Sequence, residues 1–167
     1  MTVLVAYGSK RGGTKGLAEM VASDLRREGF DVDLSPADQA GAVGGYEAVV
    51  VGGSLYAFRW HKDARRFVRR HTAELRQRPT YFFSSGPLDG SAATSDIPPV
   101  KGVRALMDRV NASGHATFGG RLTADAKGFP AVAMAKKYAG DWRDPAHIRA
   151  WVGTITAELK AALPRSA

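Results

Sequence analysis

No cysteine occurs in this chain. Disulfides, thiol nucleophiles and cysteine-ligated metals are therefore excluded. Acidic residues are scarce against basic ones, 16 against 24, which leaves a net charge of +8. A surplus of that size speaks to partners and solubility rather than to fold. A nucleic-acid partner is not expected, because the basic residues are scattered and only "RRFVRR", Arg65 to Arg70, is dense. That cluster suits the solvated face of an amphipathic helix. No run approaches the length of a membrane-spanning helix, and the chain opens on a short apolar stretch without a basic leader. A soluble, cytoplasmic protein is the expectation. The four histidines show no metal-like spacing, so no metal site is expected.

What is present is an alternation. "TVLVAY" is β-branched and short, and Leu17, Met20, Val21 and Leu25 then recur at helical spacing as far as Gly29. "FDVDL" predicts a second strand, and "AVVVGG", apolar throughout, a third that is buried on both faces. Ala64, Phe67, Val68 and Leu75 mark one helix. "TYFFSS" follows as a fourth strand, Pro99 opens a helix carrying Val103, Leu106, Met107 and Val110, and "ATFGG" is a short fifth strand. The last helix starts near Pro145, with Asp144 as its cap and Ile148, Trp151, Val152, Ile155 and Leu159 on one face. Strands alternating with helices predict an α/β fold with a parallel sheet covered on both sides. Nothing marks a repeat or an interdomain linker, so residues 1–167 read as a single domain.

Between the first strand and its helix lies "YGSKRGGTKG". A loop in that position offers free backbone N–H groups and the positive end of a helix dipole, which together favour an anion. A triphosphate loop needs lysine before the hydroxyl residue, whereas Thr14 precedes Lys15. A dinucleotide loop needs G-x-G-x-x-G, and no register supplies it. What remains is a monophosphate held by Ser9, Lys10, Arg11, Gly12, Gly13 and Thr14, or a bare glycine-rich turn. The stretch Ser9 to Thr14 resembles the phosphate loop of flavodoxins, which holds the terminal phosphate of FMN.

That resemblance implies a flavodoxin-like three-layer sandwich, with a five-stranded parallel sheet of order 2-1-3-4-5 and helices on both faces. Ligand then binds outside the carboxyl ends of strands 1, 3 and 4. The segments there read "GGSLYAFRWHKD" and "SSGPLDGS". A flavin ring wants flat apolar cover and backbone polar groups at its rim. Ser54, Leu55, Tyr56, Ala57 and Phe58 suit one side, with Trp60 a further aromatic, and Ser84, Ser85, Gly86, Pro87 and Leu88 the other. For the three aromatics, packing under the following helix is the competing use.

Within the flavodoxins, "VVVGGSLYAFRWHKDARRFVRRHTAEL" running on through "RPTYFFSSG" is similar to the menaquinone-dependent protoporphyrinogen oxidase group. The likeness covers Thr2 to Gly120 and is densest from Gly52 to His71. Members of that group carry a long basic, aromatic insertion before the final helix, implicated in substrate or membrane contact. Residues 121–144 stand in its place and are shorter and less aromatic. Their "GFPAVAMAKKY" suits an apolar lid with a basic edge, for a substrate or a peripheral membrane contact, and equally an ordinary helix packed on the sheet.

The resemblance implies an FMN-binding oxidoreductase acting on a quinone, a porphyrinogen-like compound or another small redox substrate. The alternative is a non-enzymatic electron-transfer protein that docks an acidic redox partner. The flavin itself carries the chemistry, so no catalytic residue is named. His61 lies in a site loop and could serve as acid or base. Ser9 and Ser54 lack a recognisable base, which leaves a serine-hydrolase reading without support. Lys10, Arg11, Arg59 and Lys62 in the site loops would favour a reduced flavin anion by Coulomb attraction. The flavin potential is then expected above that of a low-potential carrier.

Overall fold

β-Branched residues dominate the stretches that must lie against helices on both sides, and their alternation sorts them into two cores. In the computed structural model, residues 1–9, 12–86, 91–94, 96–122 and 140–163 are described, apart from the side chains at 93, 94 and 122. The order is β1 (Thr2–Gly8), α1 (Gly13–Arg27), β2 (Asp31–Pro36), β3 (Ala48–Tyr56), β4 (Arg59–Trp60), α2 (Lys62–Arg70) and α3 (Thr72–Leu75). There follow β5 (Thr80–Ser85), α4 (Ser91–Thr94), α5 (Lys101–Val110), β6 (Gly114–Phe118), β7 (Arg121–Leu122), β8 (Gly140–Asp141) and α6 (Pro145–Ala161). The main sheet runs β2-β1-β3-β5-β6 and is parallel throughout, with β4 folded back antiparallel on β3. Setting β4 aside, this is the expected 2-1-3-4-5 order.

Val3, Val5 and Tyr7 of β1, Val50 of β3, and Tyr81 and Phe83 of β5 face one core. They meet Leu17, Val21 and Leu25 of α1, and Ile148, Val152, Ile155 and Leu159 of α6. The intervening Leu4, Ala6, Val49, Val51 and Phe82 face the other core, against Phe67 and Val68 of α2, Leu75 of α3, and Val103, Leu106 and Met107 of α5. A strand's period of two thus fills both layers, which is why these runs carry no polar alternation. Asp144 caps α6 as expected, its carboxylate accepting the Ala146 N–H at 3.0 Å.

Some boundaries differ from the sequence reading. The helix expected to reach Leu75 breaks at His71, whose N–H still bonds the Phe67 carbonyl while its buried ring stacks on Phe67. The Thr72 hydroxyl then donates to the Val68 and Arg69 carbonyls and closes the helix end. The third long helix starts at Lys101 rather than Pro99, after an extended Val100. The fifth long strand spans Gly114–Phe118 rather than 116–120. The pair β7–β8 forms a separate antiparallel ribbon, Arg121 opposite Asp141, that has no counterpart in the sequence reading.

Candidate functional site

Gly8 at the end of β1 lies opposite Gly53 of β3, and Gly53 lies opposite Ser84 of β5. Adjacent strands sit about 4.8 Å apart. The segments after β1, β3 and β5 therefore leave the sheet side by side, at one edge. This brings together Ser9, Gly12, Gly13 and Thr14 from the first, Ser54 to Phe58 from the second, and Ser84, Ser85 and Gly86 from the third. Lys10, Arg11, Pro87 and Leu88 lie outside the described residues.

The first segment is built to receive an acceptor. Gly12 takes a left-handed backbone, φ 81°, that only glycine adopts cheaply. Its N–H donates to Ser9 Oγ at 3.0 Å, which folds the loop onto the head of α1. The first bond along the helix is Gly16 N–H to the Gly12 carbonyl, so Gly13, Thr14 and Lys15 present N–H groups without an acceptor inside the helix. No acidic side chain occupies that first turn. Thr14 is buried, and its hydroxyl has no partner among the described residues. A buried hydroxyl left unpaired costs roughly 1–3 kcal/mol. A phosphate oxygen placed here would accept from the hydroxyl and from the helix N–H groups, and it would meet the positive end of the dipole. The residues present fit a phosphate monoester.

The second segment is not the open loop expected from sequence. β3 continues to Tyr56, turns through Ala57 and Phe58, and returns as β4, pairing Leu55 with Trp60 and Tyr56 with Arg59. Ala57 and Phe58 both have positive φ, 49° and 61°. The hairpin separates the three aromatics. Trp60 is buried, with its ring over Gly53 and 5.0 Å from that of Phe82, so packing claims it and it gives a ligand no face. Phe58 stands 86% exposed at the tip. Tyr56 is half-buried at the rim.

His61 joins the first two segments. Its N–H donates to the Ser54 carbonyl at 2.9 Å, and its Nδ1 accepts the Asp63 N–H at 3.2 Å, which caps α2. The ring rests against Gly8, where a methyl group would come within 2.7 Å of Nδ1. Burial lowers its pKa, and the Asp63 carboxylate, 3.7 Å from Nδ1, opposes that. Accepting at Nδ1 assigns the proton of the neutral ring to Nε2. The residue read as a loop acid or base is thus a helix cap.

In the third segment Ser84 is fully buried, with Oγ 2.9 Å from His115 Nε2 on β6. Burial and then the Arg104 charge push the His115 pKa down to about 4, against a smaller pull from Asp96, so the ring is neutral at physiological pH. Sequence reasoning missed this pair, because only the β5–β6 register brings the two residues together. Gly86 donates to the Phe118 carbonyl at 3.1 Å and passes close to Leu55.

The ribbon β7–β8 stands beside the first segment, with the Arg121 carbonyl 3.4 Å from where a Cβ on Gly13 would lie. Arg143 holds Asp141 through two bonds, at 2.9 and 2.7 Å, and lays its guanidinium against Gly16. Residues 123–139, which carry the expected lid, lie outside the described residues.

Known proteins place this edge in context. Over 86 residues, 50% of this chain, it is 27% identical to protoporphyrinogen IX dehydrogenase [quinone] of Escherichia coli. The match covers 48% of that relative, so the chain spans about half the length of the curated relatives it matches. Among solved structures, a flavodoxin from Streptococcus pneumoniae superposes with a TM-score of 0.62 at 13% identity, covering 95% of this chain and 99% of that one. An archaeal flavodoxin does so at 0.57 and 17%, covering 92% and 99%. Rubredoxin oxygen:oxidoreductase of Desulfovibrio gigas does so at 0.63 and 16%, covering 96% of this chain but 36% of that one. The profile of the family described as Flavodoxin domain matches residues 4–136. The chain belongs to the flavodoxin-domain family, and its cofactor is FMN.

Proposed function

We propose that this protein is an FMN-dependent oxidoreductase acting on a quinone, a porphyrinogen-like compound or another small redox substrate. The observation that carries the reading is the buried Thr14 hydroxyl, without a partner among the described residues, at the head of α1 and on the edge that the segments after β3 and β5 share. Ser9, Gly12, Gly13 and Thr14, with Lys10 and Arg11, would hold the phosphate. Ser54 to Phe58, the last through its backbone, and Ser84 to Leu88 would border the ring, with the half-buried Tyr56 among them. FMN supplies hydride and single-electron chemistry when bound; the chain supplies position, exclusion of water and charge. The capping bond, accepted at Nδ1, leaves the proton of the neutral His61 ring on Nε2. Support for a quinone-class substrate comes from the Escherichia coli relative, whose name specifies one.

The alternative is an electron-transfer protein with an acidic partner, and the α2 cations, which lie in no ion pair among the described residues, favour it. An absorbance spectrum after addition of FMN, followed by reduction with NAD(P)H and separately with a quinol, distinguishes the two. Uptake of FMN and bleaching by one donor alone support an enzyme. Slow reduction by both supports the carrier. A protein that is colourless once free FMN has been removed refutes both.

A further inference from the structure

Phe58 breaks a pattern that nearly every other large apolar side chain among the described residues keeps. Among the described residues, only Phe58 and Leu163 are large hydrophobic side chains left exposed, at 86% and 47%. Phe58 is held out by its backbone. It fills the second position of a two-residue hairpin turn in which both residues have positive φ. Such turns favour Asn-Gly, because a side chain there crowds its own carbonyl. This chain places Ala-Phe there, and the ring stands out in solvent.

The ground beneath the tip is cationic. Arg59 follows the ring directly, and the nine-residue helix α2 adds Lys62, Arg65, Arg66, Arg69 and Arg70. Its one acidic residue, Asp63, is engaged at the N-cap with His61. None of the six cations lies in an ion pair among the described residues. They also feel one another: Arg65, bonded to the Trp60 carbonyl at 3.0 Å, has its pKa lowered by burial and then by Arg59, Arg69 and Arg66.

We propose that the β3–β4 tip and α2 form a docking surface for an anionic lipid bilayer, with Phe58 entering the headgroup layer and the α2 cations lying over it. A protein interface of stable size buries about 800 Å² on each side, around an apolar core of several residues. This face offers one ring. Lipid charge is diffuse and mobile, so it needs no fixed pattern of opposing charges, and a headgroup layer admits a single aromatic side chain. A ring and a basic cluster together make the two weak signals that reversible membrane attachment requires. The tip extends β3, whose end borders the candidate cofactor site. Docking would therefore turn that rim toward the phase where quinones dissolve. This consequence rests on the proposed function; the docking surface does not.

The test is co-sedimentation of the purified protein, with and without FMN, using vesicles of phosphatidylcholine alone or mixed equally with phosphatidylglycerol. Binding is expected to the mixed vesicles only, and to weaken as salt rises. The double variant Arg66→Glu with Arg69→Glu should lower partitioning by more than about tenfold. Phe58→Gly suits the left-handed turn, so it should melt no lower than the parent yet bind vesicles several-fold more weakly. Equal binding to neutral vesicles, or no response to the charge reversal, overturns the proposal. So does binding of polyglutamate by a protein that ignores the vesicles, which would indicate an acidic protein partner instead. Vesicle binding by a chain that takes up no FMN upholds the docking surface and removes the proposed function. FMN uptake without vesicle binding does the reverse.

Discussion

Replacing Thr14 by valine should move stability and cofactor affinity in opposite directions. The residue is 1% exposed, and its hydroxyl has no acceptor among the described residues. Valine keeps the branched shape and removes only the unpaired oxygen. Without cofactor the variant should gain about 1–2 kcal/mol, the lower part of the cost of an unpaired buried hydroxyl. In a chain of this size that gain is a rise of roughly 3–6 °C in Tm. With FMN the sign reverses. A hydrogen bond to a charged phosphate contributes about 1.5–3 kcal/mol, so Kd should weaken roughly 10- to 150-fold. Calorimetric melting of the cofactor-free protein and titration of flavin fluorescence measure the two effects separately. Thr14→Ser, which retains the hydroxyl, should lose far less affinity. A valine variant that melts lower and binds FMN as tightly as the parent would refute the assignment of this hydroxyl to the phosphate.

The buried pair on β5 and β6 predicts a pH dependence. The His115 pKa falls from 6.5 in the unfolded chain to about 4 in the fold. Between those values the unfolded chain binds more protons, so stability declines as pH falls through the window and the loss levels off below it, at about 3 kcal/mol in all. Unfolding free energies from urea titrations of the parent and His115→Gln across the window should diverge by that amount; parallel curves would show that the histidine is not held neutral. Gly8→Ala tests the seat of His61, because the new methyl would lie 2.7 Å from Nδ1 and 3.0 Å from the Ala64 backbone nitrogen. Overpacking of this kind costs about 1–3 kcal/mol, and an unchanged denaturant midpoint would argue against the close approach.

The parallel sheet could be read from sequence because "TVLVAY", "AVVVGG" and "TYFFSS" carry no polar alternation, and because the segments between them recur at helical spacing. The edge that gathers Ser9, Ser54 and Ser84 followed from the strand order that the flavodoxin resemblance implied. What resisted reading depended on register or on atypical turn chemistry. Ala57-Phe58 lacks the Asn-Gly signal of a tight hairpin, so β4 went unseen and Trp60 was grouped with the site aromatics. Pairing Trp60 opposite Leu55 buries its ring over Gly53. The Ser84–His115 contact likewise exists only once β6 is placed beside β5. The ribbon of β7 and β8 joins two-residue segments whose partners lie far apart along the chain, below the reach of any periodicity.

That ribbon has a consequence for how the fold can diversify. Pairing Arg121 with Asp141, and bonding Trp142 N–H to the Gly120 carbonyl at 3.0 Å, anchors both ends of the intervening stretch at one root. A tether closed at its base can grow or shrink at an entropic cost that rises only with the logarithm of its length. Variation between those joined ends need not move β6 or α6. The architecture thus keeps, beside the head of α1, a position where chain length can change without rebuilding the scaffold.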